Sequence, residues 1–589
     1  MRRRIGLSVS LCVLFLCSSL QAQDDIVMKA MRDELTRSLE KLQLEELDKP
    51  YFIAYRVEER TNTRVSASFG SLISSSENRT RYLTVEVRVG DHTLDNTNFL
   101  SFYSFRRSGV VRMLGGTVPL PLDDDYKELR RQIWLATDGA YKKALEDLAK
   151  KRAVLQNKTR TEEVPDFSQE EPTTVVERAM PAKVDLAEAE TLVRDLSTLF
   201  KEMPEVFASE VHFAVSNIHT RYVNSEETSF TRISPSVRFV AFAQTQASDG
   251  MSLEDFVAVY GRSVDALPPR KELAAHLREM GARLAELRAA PLIDRYNGPV
   301  LVEGQAAAEL FNQVFAPMLL GTRRAVSDNP RFERRSSQGQ NPFLDRIGAR
   351  VLPKFLSVVD DPTLEEHNKV QLVGGYKVDD DGVRARQTKL VEKGFLNTLL
   401  VTRNPVRGIT QSTGNRRGSG PLPSNVFVIP EGGLSSSELR EEFLRLVKQR
   451  GKEYGIVVRR IGNPLLKLSP DRMASMLVSL GRGGARVQSG ILAYRVYLDG
   501  REELIRNSEL ADITPATFKD IVAASTAQAV YSVPFAARRA SPFSSFSLGR
   551  GAPIVSFVMP SLLFEDLTVK KPTGEIPNPP VAKHPFFDK

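Results

Sequence analysis

Cysteine is almost absent from this 589-residue chain, which contains two. Both, Cys12 and Cys17, lie in an N-terminal segment in which three arginines precede an apolar run at residues 5–20. This layout is typical of a secretory signal peptide, and we expect cleavage after Ala22 and export to the periplasm or the extracellular space. The mature chain would then contain no thiol, which excludes a disulfide, a thiolate nucleophile and a cysteine-bound metal.

Long apolar runs and a strong charge of one sign are also missing. After residue 22 no stretch approaches the roughly 18 continuous apolar residues of a membrane-spanning helix, so we expect no stable membrane insertion. Removal of the signal peptide would take away three arginines and no acid, lowering the formal net charge from +8 to +5. This mild charge, together with the export signal, argues against a nucleic-acid partner, because nucleic-acid-binding proteins concentrate Lys and Arg on one face.

Histidine is scarce, and none of the six is followed by glutamate, so no zinc motif of the His-Glu-x-x-His type occurs in any register. His212 and His219 lie seven residues apart on strand-like sequence, which places them on opposite faces and argues against joint metal ligation. The glycine-rich pieces at 418–420 and 481–484 lack the spacing of a nucleotide-binding loop, and Gly-x-Ser-x-Gly does not occur.

Two acidic clusters have the composition of a cation site. Glu365, Glu366 and His367 follow the pair Asp360-Asp361, but neighbouring residues on an extended chain point apart, which argues against metal binding there. A second cluster reads Asp-Asp-Asp-Gly at residues 379–382. Lys377 stands where a calcium loop needs its first carboxylate, and Thr388 stands where it needs the last. We therefore interpret residues 379–382 as a hairpin turn.

Hydrophobic periodicity predicts an α+β fold with two lobes and mixed sheets. Residues 51–57 and 83–89 alternate as antiparallel strands with one wetter face. Helical stripes recur at 31–42 and 185–200, and another section, opened at Gly250, carries a core stripe of five large apolar residues: Leu273, Leu277, Met280, Leu284 and Leu287. Residues 154–182 have little periodicity and several prolines, which indicates a solvated connection.

The predicted organisation has five parts. They are the signal peptide at 1–22, an N-terminal α+β domain at 23–249, a helical central segment at 250–290, a C-terminal domain at 291–569, and a proline-rich tail at 570–589 that we expect to be extended or mobile.

The C-terminal domain begins with the most informative stretch. Val300, Leu301 and Val302 form a short apolar strand, and from Gln305 small and apolar residues continue without breakers, which predicts a helix buried in the C-terminal lobe. Four phrases follow in a fixed order: Asp-Asp-Asp-Gly at 379–382, Glu-Lys-Gly at 392–394, Thr-Gly-Asn at 413–415 and Pro-Ser-Asn at 423–425. Together with Gly-Pro-Val at 298–300, they make residues 205–570 resemble the TldD/PmbA family of metallopeptidases and their metal-free paralogues.

The resemblance implies a zinc site on the buried helix that this chain lacks. Family members that cleave peptides have a His-Glu-x-x-x-His helix, and an overlay without gaps places those three positions on Phe311, Asn312 and Ala316. Phenyl and methyl groups offer no lone pair to a metal, and a neutral amide does not take a proton from water. The family's cysteine ligand is also missing from residues 541–558. We therefore expect no metal cofactor, with zinc remaining only if this overlay is wrong.

Candidate substrate-binding residues come from the same stretch. Glu303 and Glu309 flank the degenerate helix, and Glu303, at the end of the strand, is the better candidate for an acid in a cleft. Arg416 and Arg417 follow Asn415 in a run of turn-forming residues, so their charges should face solvent or a ligand carboxylate. In this family peptide is held as an added strand, which requires backbone groups more than particular side chains.

The resemblance implies three alternative functions. The favoured one is an exported, metal-free protein that pairs with a metal-bearing paralogue, or with itself as a homodimer, and helps to hold an unfolded peptide. The second is a working metallopeptidase with misaligned ligands or a site supplied by a partner. The third is a non-catalytic structural envelope protein.

Overall fold

The computed structural model describes most of the chain. The described residues are 25–101, 117–156, 164–177, 179–331, 333, 341–463, 466, 491–535, 553–572 and 586. The predicted signal peptide at 1–22 and most of the proline-rich tail at 570–589 lie outside them.

The N-terminal lobe is built on a seven-stranded sheet whose central strands are two long hairpins. The order is β4, β2, β1, β6 and β7, and both β5 and β8 pair with β7 at the far edge. The strands are β1 Pro50–Ser68, β2 Ser71–Val89, β4 Thr117–Pro119, β5 Thr174–Val176, β6 Ala208–Asn224, β7 Ser229–Gln246 and β8 Ser252–Gly261. The helices of this lobe are α1 Ile26–Lys41, α2 Tyr126–Gln156, α3 Leu186–Thr198 and α4 Arg270–Ala289.

The two faces of this sheet differ in polarity. On β1 the odd-numbered Ile53, Val57 and Val65 are buried in the cores formed with the helices. The even-numbered Glu58 and Arg60 lie on the opposite face because successive side chains of a strand alternate. The predicted antiparallel sheet with one wetter face is therefore confirmed.

The prediction of a helix opening at Gly250 is wrong for its first part. Residues Ser252–Gly261 form the edge strand β8, and the helix α4 begins at Arg270. The run from Phe256 to Tyr260 is rich in aromatic and β-branched residues, which favour a strand over a helix. The five apolar residues of the stripe on α4 are buried as predicted.

The prediction of a solvated connection at 154–182 is wrong for residues 164–168, which are mostly buried, whereas every described residue of 169–181 except Thr173 is partly or fully exposed. Asp166 and Phe167 are buried, and the Asp166 carboxylate accepts a 2.6 Å hydrogen bond from Lys151 Nζ. The ring of Phe167 lies between two guanidinium groups, 3.6 Å from that of Arg88 and 3.8 Å from that of Arg403. These are single contacts between distant parts of the chain, so they leave no periodic pattern in the sequence.

The C-terminal lobe is built on a ten-stranded sheet with both parallel and antiparallel pairs, as predicted. The order is β15, β14, β11, β18, β23, β21, β20, β19 and β9, with β22 also paired to β23. The strands are β9 Arg295–Val302, β11 Leu356–Asp360, β14 Thr388–Glu392, β15 Phe395–Leu396, β18 Asn425–Pro430, β19 Tyr454–Arg460, β20 Ile491–Tyr497, β21 Glu502–Ala511, β22 Ile521–Pro534 and β23 Ile554–Lys570. Three two-stranded pairs, one of which joins the lobes, are formed by β3 Phe99–Leu100 with β10 Val326–Ser327, β12 Glu366–His367 with β13 Val370–Gln371, and β16 Arg416–Arg417 with β17 Gly420–Pro421.

A buried helix follows β9, as predicted. It begins as α5, Gly304–Leu310, continues through one π-helical turn, Phe311–Phe315, and ends in a 3₁₀ turn, Ala316–Leu319. From Ala306 onward every residue of these three turns is buried. The helix therefore lies inside the main core of the C-terminal lobe.

Two elements of the C-terminal lobe are set by local sequence signals. Ser435 accepts from the backbone of Glu438, whose side chain accepts from the backbone of Ser435, and this capping box starts α6 at Ser436–Gln449. The β20–β21 hairpin turns at Asp499 and Gly500. Within the described ranges, no helix is both long and apolar enough to cross a lipid bilayer.

Candidate functional site

The edge strand β8 forms the seam between the two lobes. At one end, the backbone N–H of Arg262 donates to Gln371 Oε1 at 2.9 Å, and its guanidinium donates to the carbonyl of Gly375. At the other end, the guanidinium of Arg460 donates to the carbonyl of Phe256 and lies 4.8 Å from the centre of its ring. We use the term seam for β8 and the C-terminal residues that face it.

The acidic sequence at 379–382 is a turn, as predicted, but it is buried at the lobe interface. Asp380 forms ion pairs with Arg232 and, at 3.3 Å, with Arg56, both on the N-terminal sheet. Although burial opposes ionisation, these two guanidinium groups hold the pKa of Asp380 below its usual value. Burial and the neighbouring charge of Asp381 raise the pKa of Asp379 to about 8. The carboxylates of this turn are bound by protein donors, so the turn joins the lobes.

The other acidic cluster is dispersed. Asp360 is buried and accepts hydrogen bonds from Ser424 and Asn415, whereas Asp361 accepts from Thr363. Glu365 and Glu366 lie on the exposed surface. The carboxylates therefore do not converge on one point.

Asn415, Arg416 and Arg417 point into the protein. The Asn415 amide donates to Asp360 Oδ2 at 2.8 Å, and its Oδ1 has no hydrogen-bond partner within the described part of the chain. Arg416 forms ion pairs with Asp381 and, at 3.3 Å, with Glu86. Arg417 donates to two backbone carbonyls, at 3.0 and 3.2 Å. The expectation that both arginine charges face solvent or a ligand is therefore wrong for Arg416, whose partners are protein carboxylates.

Glu303 and Glu309 lie in different environments. Glu303 is partly exposed and forms an ion pair with Arg459 at 3.1 Å. Glu309 is fully buried and accepts from the side-chain amides of Gln313 at 2.8 Å and Asn463 at 2.9 Å. Burial raises the pKa of Glu309 to about 7. Glu309, rather than Glu303, is therefore the acid whose environment suits proton exchange near neutral pH.

Glu309 belongs to a polar cluster that the sequence analysis did not identify. Asn312 donates to Glu309 at 3.3 Å, and Tyr531 of β22 lies near the same carboxyl group. Tyr260 of β8 is close enough for the charge of Glu309 to raise the pKa of its hydroxyl, although burial is the larger cause. The sequence does contain a signal for this cluster. The residues at 309, 312 and 313 are polar and lie within about one helical turn of each other in an otherwise apolar run.

The residues at the family's zinc positions do not fit a metal. The ring of Phe311 packs in an aromatic cluster, with centroids 5.0, 6.0 and 6.1 Å from those of Phe315, Phe518 and Phe557. Asn312 is 5% exposed and its Oδ1 has no partner in the described ranges, while Ala316 is buried in the apolar core. Within the described residues, no group of three or more His, Cys, Asp or Glu side chains lies close enough together to hold a metal.

Comparison with known proteins identifies the C-terminal lobe. Residues 295–571 match the family described as the PmbA/TldA metallopeptidase C-terminal domain. A metalloprotease of Methanocaldococcus jannaschii is 35% identical over 126 residues, and one of Methanothermobacter thermautotrophicus is 33% identical over 126 residues. Each match covers 20% of this chain and only about a quarter of the relative, 27% and 26% respectively.

Solved structures share the fold of nearly the whole chain. One from Thermotoga maritima, named provisionally as a modulator of a DNA gyrase, has a TM-score of 0.57 at 15% identity and covers 92% of this chain and 99% of its own. TldE from Thermococcus kodakarensis has a TM-score of 0.55 at 14% identity, with coverage of 92% and 99%. At these identities the likeness establishes the two-lobed fold.

Proposed function

Because this chain is a member of the TldD/PmbA family, we propose that it is a metal-free member that binds unfolded peptide and acts in proteolysis beside a metal-bearing relative. Peptide hydrolysis by a metallopeptidase requires a metal-activated water, whereas an extended peptide can be held by backbone hydrogen bonds alone. Peptide hydrolysis and peptide binding are therefore separable, and a chain that has lost hydrolysis can still bind a peptide.

The aromatic packing of Phe311 is the observation that carries this proposal. A histidine ligand at this position would need an open side toward the metal, but here the ring is surrounded by other phenylalanines. The adjacent Asn312 side chain is held by Glu309. This packing supports the proposal of a helix without a metal.

The seam supports the peptide-binding part of the proposal. In the antiparallel β7–β8 pair, even-numbered residues of β8 direct their backbone groups away from β7, since the carbonyl of Phe256 and the N–H of Arg262 both bond to the C-terminal lobe. Ala258 and Tyr260 lie between these two anchors and are partly exposed. No backbone partner on that side is found for them among the described residues. They offer two N–H and two C=O groups to an added strand.

The peptide-binding test uses a labelled unstructured peptide and fluorescence anisotropy. Ala258→Pro removes one outward N–H without breaking a bond to β7, and proline is tolerated at the edge of a sheet. We expect this variant to bind more weakly than the unmodified chain. Ser252→Pro, on the same edge but outside the two anchors, is the matched control. Equal binding by all three proteins would contradict peptide addition at β8.

The metal-free part is tested by elemental analysis of the mature protein, purified alone and with any copurified relative. We expect metal only in the sample that contains a relative with a His-Glu-x-x-x-His helix. A working metallopeptidase is the second candidate function, because the similar archaeal proteins are named metalloproteases. One tightly bound transition metal per isolated chain would establish that alternative and overturn our proposal.

Export is the remaining part of the proposal. It is supported by the arginine-rich and apolar sequence that precedes Ala22. The metal-bearing relative would then have to be exported to the same compartment. A neighbouring reading frame that encodes both a signal peptide and a His-Glu-x-x-x-His helix would be the expected partner.

A further inference from the structure

The face of the N-terminal sheet opposite the helices carries a row of residues that crosses four strands. In this row Arg64 of β1 is opposite Ala214 of β6, Ala214 is opposite Arg238 of β7, and Arg238 is opposite Tyr260 of β8. Directly opposite residues of antiparallel strands have Cβ atoms about 5 Å apart, so Arg238 lies beside Tyr260. The row therefore brings arginine to the edge of the sheet at the seam.

Arg262 follows Gly261, the last residue of β8, and lies two residues beyond Tyr260. Its backbone N–H and its guanidinium both contact the C-terminal lobe at the seam. The guanidinium of Arg262 donates to a backbone carbonyl, that of Gly375. We use the term basic row for Arg64, Arg238 and Arg262.

The arginines of the basic row form no ion pair in the described part of the chain. Burial lowers the pKa of both Arg238 and Arg262, although the charges of Glu365 and Glu177 oppose this shift at Arg262. The neighbouring rows differ, because Arg60 pairs with Glu58 and Arg232 pairs with Asp380. Glu309 is near Tyr260, but its carboxyl group is already bound by amides. Within the described residues, Arg238 therefore places a guanidinium without an ion-pair partner beside the open edge of β8.

We propose that the seam selects peptides with acidic side chains, which the basic row binds while β8 holds the peptide backbone. The proposal rests on the function proposed above. A strand added to β8 places a residue opposite Tyr260, and the side chains of that residue and of its neighbours two positions away lie on the face of Arg238, with Arg262 just beyond the end of β8. Aspartate or glutamate at these alternating positions presents carboxylates to guanidinium groups, which bind them with two parallel hydrogen bonds.

Peptide is favoured over nucleic acid as the occupant. A nucleic acid has phosphates for the arginines but no regular row of N–H and C=O groups to pair with Ala258 and Tyr260. Proteins that bind single-stranded nucleic acid also use several aromatic side chains on which the bases stack, whereas one aromatic residue, Tyr260, lies beside Arg238 in this row across the sheet. The combination of an open strand edge with adjacent arginines matches an acidic peptide.

The test compares two labelled unstructured peptides that differ only in having Glu or Gln at alternating positions. With the mature full-length chain at low salt, we expect the Glu peptide to bind roughly tenfold more tightly, as expected when charge-assisted hydrogen bonds replace neutral ones. Arg238→Gln and Arg262→Gln should abolish this preference while the Gln peptide still binds. Arg238→Lys should restore part of it. Arg278→Gln, on the exposed surface of α4, removes the same charge elsewhere and should change nothing.

The outcomes separate this proposal from the one on which it rests. If both peptides bind equally and both bindings are weakened by Ala258→Pro, peptide binding stands and the selectivity for acidic side chains is overturned. If neither peptide binds, the proposed function itself fails. If a single-stranded oligonucleotide of matched charge displaces the Glu peptide equally well, the row is a site for anions in general, and selection of peptide is overturned. The melting temperature of each variant shows whether its fold is intact.

Discussion

Arg232 on the N-terminal sheet forms an ion pair with Asp380 in a turn of the C-terminal lobe, and both side chains are mostly buried, at 13% and 8% exposure. Asp380 also pairs with Arg56 at 3.3 Å. The two lobes are therefore joined by one carboxylate held between two guanidinium groups.

Replacement of Asp380 by asparagine should loosen the lobes. The substitution leaves Arg56 and Arg232 without their shared counter-charge, and removing one partner of a buried ion pair typically costs about 3–5 kcal/mol. We expect a lower unfolding free energy in urea and faster proteolysis between the lobes. Glu565→Gln removes a partner of Arg450 in an exposed pair and should cost under about 1 kcal/mol. Equal effects of the two substitutions would show that the Asp380 pairs do not hold the lobes together.

Stability should fall as pH rises toward neutrality because of Glu309. Its pKa is about 7 in the folded protein against an ordinary value of 4.5, so the folded state binds the proton more tightly than the unfolded state. The stabilisation from the protonated form is complete below about pH 4.5 and is lost as pH rises through about 7, amounting to about 3 kcal/mol. Urea unfolding at pH 5 and pH 8 measures this difference.

Glu309→Gln should reduce that pH dependence, because an amide does not titrate. Asp360 and Asp379, whose pKa values burial raises to about 6 and about 8, contribute in the same direction and remain in the variant. Glu303→Gln, at the partly exposed acid that precedes the same helix, is the matched control variant. An identical pH profile for the unmodified chain and Glu309→Gln would contradict the raised pKa.

Truncation of Phe311 should be costly because its ring fills the core at the first zinc position. Phe311→Ala leaves a cavity among Phe315, Phe518 and Phe557, and buried Phe→Ala changes cost about 3–5 kcal/mol. Phe395→Ala, at a residue with 40% exposure, is the control and should cost much less. Denaturant unfolding of both variants measures the two costs. A cost for Phe311→Ala no larger than that of the control would mean that this position is not packed.

The mature protein from its native host should begin at Gln23. A small residue precedes a signal-peptide cleavage site, and Ala22 supplies it. Intact-mass measurement or N-terminal sequencing checks the cleavage, and Ala22→Arg should leave the precursor uncleaved. A protein that keeps residues 1–22 and stays in the cytoplasm would remove export from the proposal.

Much of the fold could be predicted because its signals are local. The alternation on β1 and β2, the capping box at Ser435 and the turn at Asp499 each depend on residues close together in the sequence. Strand β8 differs from the prediction because the turn at Gly250 favours the start of a helix, whereas the aromatic and β-branched residues that follow favour a strand.

The candidate site was less predictable because it depends on contacts between the lobes. Tyr260 and Tyr531 are 271 residues apart in the chain, and no sequence pattern places them beside Glu309. The surroundings of Arg416 could not be predicted for the same reason, since its partners include Glu86 on the N-terminal sheet. The sequence alone could show that residues 311, 312 and 316 lack metal-ligating groups, because this depends only on residue type.

The π-helical turn at Phe311–Phe315 also bears on how this chain is aligned with its relatives. The N–H of Ala316 donates to the carbonyl of Phe311, five residues back, so the turn holds one residue more than an α-helical turn. An alignment with a regular helix therefore needs a gap of one residue here. Moved forward by one, the three zinc positions fall on Asn312, Gln313 and Pro317, and moved back by one they fall on Leu310, Phe311 and Phe315. Neither alternative contains a histidine or a glutamate, so the loss of the motif does not depend on the choice of register.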